Sequence, residues 1–539
     1  MKSSNAFKLV TSLFILILLI ACQQKELPVY NLGETDLSRE NLIPFPRIVE
    51  ASNGGFALDP YTAIYTSSEE SSEFESIGQF LAQKIAAKTG LTLPVNNPEV
   101  ERTDRIINII AKDSEELAGE EAYELHIDRD TISLAASSAQ GAFRGIQTLR
   151  QLIPEVSIDT LAEFPIWRIP TGKIKDEPNF EYRGSMLDVA RHFFSVEDVK
   201  KYLDLLAYYK INYLHLHLTD DQGWRIEIKS WPKLTEIGGS TEVGGESGGF
   251  FTQEDYKDIV EYAADLYITI VPEIDMPGHT NAASVSYPFL NGASKPAKLY
   301  EGTRVGFSTF DTRKDTVYQF LDDVIREVSE LTPGPYFHIG GDESHVTEKE
   351  DYKYFVSRVE KIVQKYGKRM IGWDEVATAD LDSTSISQFW ASMDNAKLAE
   401  QKGMQVILSP ANKSYLDMKY DTLSEYGLTW AAYIPVDSAY IWTPETYSGI
   451  PKSQILGVEA PLWSETISNI AELEYLAFPR MIGYSELSWT DEANRDWEKF
   501  KVRLANQAAY LKRMDVKYYP SPRIDWVKDD LPEKKVVKD

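Results

Sequence analysis

The chain has 539 residues, 43% of them hydrophobic, with 30 Tyr, 22 Phe and 11 Trp, enough for a large core and, at this length, for two domains. Its 56 Lys and Arg stand against 83 Asp and Glu, a formal charge of −27, which argues against nucleic acid as a partner. Cys22 is the one cysteine, so no disulfide forms within the chain.

Residues 1–21 read as an export leader. Lys2 and Lys8 flank its start, and 9–21 is mostly apolar, short for a membrane span and right for a signal-peptide core. The run ends Leu19-Ile20-Ala21-Cys22, which resembles a bacterial lipobox. The alternative is an ordinary secretory signal with an incidental cysteine. The expectation is a lipoprotein whose mature chain starts at an acylated Cys22, membrane-anchored and extracytoplasmic, facing the periplasm or the cell surface. Residues 22–42 read as a polar tether.

Residues 43–172 read as a small α+β domain. The spacing of Phe74, Ile77, Phe80, Leu81 and Ile85 predicts a helix over 71–89, and 105–111 is a buried-strand run. Alternation predicts a hairpin of 123–128 with 131–135, followed by a helix over 138–152. No cluster of catalytic residue types falls in this stretch.

From 173 to 519 short apolar runs alternate with amphipathic ones. Strands are expected at 182–188, 211–218, 268–274, 336–339, 368–373, 385–390, 405–408 and 455–459, with helices at 196–209, 253–266, 316–331 and 352–366. Alternation of this kind implies parallel pairing, and eight units imply a (β/α)8 TIM barrel. The alternative is an open doubly wound sheet, but no glycine-rich phosphate loop follows the first strand. Residues 520–539 form a charged tail.

In such a barrel the polar residues just after each strand share one face. In chain order they are Asp188 and Arg191; Asp220 and Asp221; Glu273, Asp275 and His279; Asp342 and Glu343; Trp373, Asp374 and Glu375; Trp390; Tyr415 and Asp417; and Trp463 and Glu465. Trp faces stack on apolar sugar faces, and carboxylates and Arg bind hydroxyls, so the set has the residue types of a carbohydrate site. His215 and His217 point the same way from one strand, and Glu273, Asp275 and His279 have metal-binding chemistry. Structural roles and a shaped loop are the favoured readings. The sharpest feature is His338-Ile-Gly-Gly-Asp-Glu343, where two acids follow two glycines. Neighbouring acids are pushed apart in pKa in a dry cleft. Coming from one backbone point, they fit poorly as the acid and nucleophile that flank a bond in ordinary retaining glycosidases. They fit better if the 2-acetamido oxygen of an N-acetylhexosamine is the nucleophile and Asp342 steadies it.

Four stretches, Tyr182-Arg-Gly-Ser-Met-Leu-Asp-Val-Ala-Arg-His-Phe-Phe194, Leu214-His-Leu-His-Leu-Thr-Asp-Asp-Gln-Gly-Trp-Arg225, Pro277-Gly-His279 and His338-Ile-Gly-Gly-Asp-Glu343, closely resemble glycoside hydrolase family 20, the β-N-acetylhexosaminidases. The resemblance covers about residues 43–515. It implies Glu343 as general acid and then base, and Asp342 as the residue that orients the acetamido group and stabilises an oxazoline intermediate. It implies Asp220 and His279 as a relay to the acid, and Tyr415 as donor to the acetamido oxygen. Trp373, Trp390 and Trp463 would wall the pocket, and Arg191, Asp417 and Glu465 would bind sugar hydroxyls. No metal or organic cofactor is implied. The expected activity is release of terminal β-linked GlcNAc or GalNAc from glycans with retained configuration. The alternatives are a relative that removes a disaccharide such as lacto-N-biose or a sulfated N-acetylhexosamine and, outside enzymes, a glycan-binding lipoprotein.

Overall fold

A computed structural model describes residues 28–527 except 68–71, 97–104, 114–116, 118, 159–163, 294 and 296. The leader and Cys22 lie outside these residues. Among the described residues no helix is long and apolar enough to cross a membrane.

The first domain is a six-stranded mixed sheet of β1 (Ile48–Leu58), β2 (Ala63–Thr66), β3 (Ile106–Ala111), β4 (Tyr123–Ile127), β5 (Thr131–Ala136) and β6 (Trp167–Asp176), in the order β1-β6-β4-β5-β3-β2. Helices α1 (Ser72–Thr89) and α2 (Ala139–Leu152) pack on it and on each other, with Phe80 against Phe143 at 5.2 Å. Ser138 caps α2 by accepting from the Gly141 N–H at 3.0 Å, and the expected hairpin is the antiparallel pair β4–β5.

Strands β1, β2 and β6 carry no clear sequence signal. In β1 the Ser-Asn-Gly-Gly stretch breaks the alternation, and its register against β6 shifts between Ala51 and Gly55. In β6, Pro170 and Gly172 interrupt the pattern. The expected boundary at 172–173 falls inside β6, so the first domain runs on to Asp176. The described part of the expected tether also differs: Leu37 and Leu42 are buried, and the Tyr30 hydroxyl donates to Asp59 at 3.1 Å. The segment packs on the first domain through Tyr30 and Leu37, and its end is held by the second, where Arg503 donates to the Leu42 carbonyl at 2.7 Å and Gln507 to the Asn41 carbonyl at 2.9 Å. At the other end, Ser521 and Ile524 are buried, so the expected tail is packed as far as the described residues reach.

The second domain is a closed barrel of eight parallel strands: β7 (Tyr182–Asp188), β8 (Tyr213–His217), β9 (Thr269–Glu273), β10 (Tyr336–His338), β11 (Arg369–Trp373), β12 (Ile386–Phe389), β13 (Gln405–Leu408) and β14 (Ile455–Leu462). All eight expected strands are present, and β14 closes on β7 with Gly457 opposite Tyr182. Outer helices Val196–Tyr208 and Gln253–Asp265 each begin with a capping box, Ser195 with Asp198 and Thr252 with Asp255.

The interior is layered. At the N-terminal end Tyr182 stacks on Tyr213 at 4.2 Å beside Tyr336, Val271, Ile371, Ile386, Ile407 and Leu456. Above this apolar floor lies a buried polar layer. Glu459 accepts from the Tyr182 hydroxyl at 2.5 Å and from Gln388 Nε2 at 2.7 Å, and stands 3.0 Å from His215 Nδ1. A Cβ on Gly184 would stand 2.8 Å from the Glu459 carboxylate, so only glycine leaves it room.

Buried charge joins the domains. Glu121, just before β4, accepts from Arg144 Nε on α2 at 2.7 Å and from Arg183 Nη2 on β7 at 2.5 Å. Burial alone would raise the Glu121 carboxyl, but Arg183 and Arg144 bring it down to about 2.

Candidate active site

The candidate site is the mouth formed by the C-terminal ends of the barrel strands. Gly340 and Gly341 turn the chain after β10 with φ of 64° and 99°. A Cβ on Gly340 would collide with the Asp275 carboxylate, so the loop after β9 can press against this turn. Asp342 and Glu343 follow at once. Their side chains are 11% and 27% exposed, so Asp342 sits deeper and Glu343 reaches the lip.

Both acids approach one imidazole. Asp342 Oδ2 and Glu343 Oε2 are each 3.6 Å from His279 Nε2. On its other side, His279 Nδ1 donates to Asp220 Oδ1 at 3.1 Å. The second oxygen of Asp220 pairs with Arg191 Nη2 at 2.7 Å and accepts from His217 Nε2 at 3.1 Å. His217 Nδ1 in turn donates to Glu273 Oε2 at 2.5 Å. A hydrogen-bonded line thus runs from Glu273 in the barrel interior up to His279, whose Nε2 faces the two acids as an ion-pair contact.

The charges follow from these contacts. Burial opposes an ionised Asp220, yet Arg191 and His279 hold its carboxyl well below the usual range. Burial opposes a charged His279, but Asp220, Asp342 and Asp275 keep its proton on far above the ordinary value. Burial pushes the Asp342 carboxyl up to about 6, with His279 pulling it down and Glu343 adding to the rise. Burial and Asp342 raise Asp275 well above the carboxylate range. The acids are therefore sorted by environment: Asp220 is ionised, Asp275 holds a proton, and Asp342 is poised between.

Four aromatic rings line the mouth beside Asp342. Trp390 and Tyr415 lie nearly parallel at 6.4 Å, Tyr415 and Trp463 are 6.2 Å apart, and Trp463 and Trp373 are 5.7 Å apart. Trp373 is fixed by donating its Nε1–H to Glu273 at 3.0 Å, and Trp390 by donating to Glu375 at 3.1 Å. The Arg191 guanidinium lies 4.8 Å from the Trp463 ring. Asp417 is raised well above its usual range by burial and by Glu465 beside it. Arg191 Nε, Asp342 Oδ1, Asp417 Oδ1 and Glu465 Oε2 are buried without a hydrogen-bond partner among the described residues. A polyhydroxylated ligand offers such partners.

Several of these groups have the donor types of a cation site. His215, Glu273 and His338, then His217, Glu273 and Asp275, and then Asp220, Asp275 and His279, bring one ligand atom each within 4.8 Å of one another. Much of their donor capacity is already paired: Glu273 stands 3.0 Å from His215 and 3.1 Å from His338, and Asp275 accepts from the Gly341 N–H at 3.1 Å. Acid–imidazole pairing accounts for this clustering.

The chain matches the family described as glycosyl hydrolase family 20, catalytic domain, over residues 180–352 and 344–492, and domain 2 of that family over 39–177. The chain belongs to glycosyl hydrolase family 20. A beta-N-acetylhexosaminidase of Cellulomonas fimi is 36% identical over 90% of this chain and 97% of its own. A beta-hexosaminidase of Porphyromonas gingivalis is 38% identical over 94% of this chain and 67% of its own. The structure of the Streptomyces plicatus N-acetyl-beta-hexosaminidase in complex with Thio-NAglucal superposes with a TM-score of 0.86 at 43% identity, covering 92% of this chain and 99% of that one. As a family 20 glycoside hydrolase the protein is an enzyme, with the small domain and barrel of that family.

The eleven barrel residues to which the resemblance gives roles, Arg191, Asp220, His279, Asp342, Glu343, Trp373, Trp390, Tyr415, Asp417, Trp463 and Glu465, lie at this one mouth. Sequence reasoning missed Trp430. It is 58% exposed and stands edge-on to Tyr415 at 5.9 Å and to Trp390 at 6.2 Å, at the rim of the family 20 site. It lies in the long connection after β13, where no periodicity marks it. The weight of Glu375 was also missed. Burial, then Asp374 and Asp342, push its carboxyl up to about 8 beside the Trp390 indole.

Proposed function

We propose that this family 20 hydrolase is an exo-acting β-N-acetylhexosaminidase whose substrate supplies its own nucleophile. It releases terminal, non-reducing β-linked GlcNAc or GalNAc from glycans. The observation that carries this reading is the meeting of Asp342 and Glu343, successive residues of one loop, on the single nitrogen of His279 at 3.6 Å each. Two acids drawn to one imidazole from one backbone point do not face each other across a sugar ring, as an acid and a nucleophile must. They suit a carboxylate that steadies an acetamido group and an acid that serves the leaving oxygen.

In the first step Glu343 donates its proton to the glycosidic oxygen while the acetamido oxygen attacks the anomeric carbon. Asp342 accepts from the acetamido N–H and stabilises the positive charge that develops on the oxazoline. The Tyr415 hydroxyl donates to the acetamido oxygen. In the second step water enters at the anomeric carbon, Glu343 takes its proton, and the acetamido group leaves. Two inversions retain configuration. The His279 imidazolium, anchored by ionised Asp220, sets its positive charge beside Glu343 and orients it. Trp373, Trp390 and Trp463 enclose the acetamido group and sugar face, and Arg191, Asp417 and Glu465 bind the ring hydroxyls. The lipobox-like Cys22 supports a lipid-anchored, extracytoplasmic enzyme.

The test is turnover of nitrophenyl β-GlcNAc beside nitrophenyl β-glucoside, with and without a thiazoline mimic of the intermediate. Cleavage of the acetamido sugar alone, blocked by the mimic, is expected. Equal cleavage of the glucoside overturns the substrate-assisted step.

A further inference from the structure

The peptide that carries the catalytic pair is gripped from outside the barrel mouth. Tyr352 lies in the first turn of the helix Lys349–Lys365, and its hydroxyl donates to the Gly341 carbonyl at 2.7 Å. The N–H of the same glycine donates to Asp275 Oδ1 at 3.1 Å. Gly340 and Gly341 have φ of 64° and 99°, where glycine moves most freely, so this turn does not stiffen itself. A Cβ on Gly341 would stand 2.9 Å from Val376 and 3.1 Å from the Tyr352 hydroxyl, so the turn is also closely packed there. The carbonyl held by Tyr352 belongs to the peptide whose nitrogen is that of Asp342. Rotation of that one peptide swings the Asp342 carboxylate directly.

We propose that Tyr352 is a positioning residue of the reaction, its hydroxyl fixing the Gly341–Asp342 peptide so that Asp342 points at the acetamido group. This rests on the role given to Asp342 above. The ring itself is buried, with Tyr352 8% exposed, so it is held by packing before any substrate arrives. Burial, then Glu375 and Asp342, keep its hydroxyl neutral far above the working range, so it remains a donor at every pH of interest. A shift of about 1 Å in a catalytic group can cost about 10²-fold in rate, so a lever one peptide long is enough to matter.

Tyr352→Phe keeps the ring and removes only the grip. Its kcat on a β-GlcNAc aryl glycoside should fall about ten-fold or more, with KM within about two-fold. Tyr354→Phe, an exposed tyrosine of the same helix, is the control and should leave kcat unchanged. Active sites are counted by calorimetric titration with the thiazoline mimic, so a loss of folded enzyme is not read as a loss of turnover. The deciding measurement is a double-mutant cycle with Asp342→Asn. If Tyr352 acts through Asp342, the double variant is no slower than Asp342→Asn alone. Full multiplication of the two losses, or an unchanged kcat in Tyr352→Phe, overturns the inference and leaves the proposed function standing. An Asp342→Asn variant with undiminished kcat overturns both.

Discussion

The His279 imidazole stands 3.6 Å from the Glu343 carboxylate, and both residues hold left-handed backbone, with φ of 56° and 47°. Each such residue costs about 1–3 kcal/mol, and persists only where surrounding structure over-determines it. Here the surroundings are visible: Asp220 grips Nδ1 of His279, and Tyr352 and Asp275 grip the carbonyl and the N–H of Gly341 just before the acids. The strain places an acid and its relay at contact distance before substrate arrives.

Glu343→Gln separates acid catalysis from binding. Substrates with poor leaving groups should lose about 10²–10⁴-fold in kcat/KM, and those with good leaving groups much less. Steady-state kinetics over a series of aryl β-GlcNAc glycosides gives the slope. Equal losses across the series remove Glu343 from the acid role.

The rise of the Asp342 carboxyl to about 6 sets a pH dependence. Asp342 steadies the acetamido group only when ionised, so kcat/KM should fall as pH drops through about 6. Asp342→Asn should cost about 10²-fold or more at neutral pH and should abolish that acid limb. A pH–rate profile of the two proteins checks both; a limb that survives in the variant belongs to another group.

Trp430 is 58% exposed and stands edge-on to Tyr415 and Trp390 at the rim of the mouth. Its exposed ring at the rim is suited to stack on an acceptor unit beyond the acetamido sugar. Trp430→Ala should raise KM for a GlcNAc-terminated disaccharide about five-fold, a loss of about 1 kcal/mol of stacking. KM for methyl β-GlcNAc, which has no ring there, should stay within about two-fold. Parallel rises for both substrates assign Trp430 to the wall of the sugar pocket instead.

Glu121 should make the joint between the domains acid-sensitive. Its folded value of about 2 lies below the ordinary 4.5, so its stabilisation is fully present above 4.5 and is lost as pH falls towards 2. The shift corresponds to about 3 kcal/mol. At pH 7, Glu121→Gln leaves Arg144 and Arg183 buried and unmatched, at a cost of about 3–5 kcal/mol. Urea midpoints between pH 7 and 2 should show the gap between wild type and variant closing below 4.5.

Lipidation is tested at Cys22. In a host with the bacterial lipoprotein pathway, Cys22→Ala should move the enzyme from the membrane fraction to the soluble extracytoplasmic fraction without changing kcat. Unchanged membrane association removes the lipid anchor.

Much of this architecture was legible in the chain, and unevenly so. Strand β13 coincides with its apolar run, because buried parallel strands are near-continuous hydrophobic segments between helices, while β7 falls where expected with only Tyr182, Met186 and Leu187 apolar. Strands β1 and β6 were illegible, because glycines, a proline and a bulge break their alternation and the sheet partner supplies the order. Asp342 and Glu343 stood out because the glycines that turn the loop precede them directly. Trp430 did not, because its contacts with Tyr415 and Trp390 come from loop packing. Tyr352 looked like one more apolar residue of an amphipathic helix, since its bond to Gly341 spans two elements.

The sequence by itself determined the order of the barrel strands, the barrel, the family and most of the side chains that reach its mouth, because these follow from local periodicity and from short motifs at strand ends. Only the tertiary structure decided which acids are charged. Asp220 and Asp221 are adjacent, yet Arg191 and His279 keep the first ionised while burial and its charged neighbour lift the second to about 6. Charge interactions depend on distance in space and on exclusion of water, and both are set by which strand ends the closed barrel brings together.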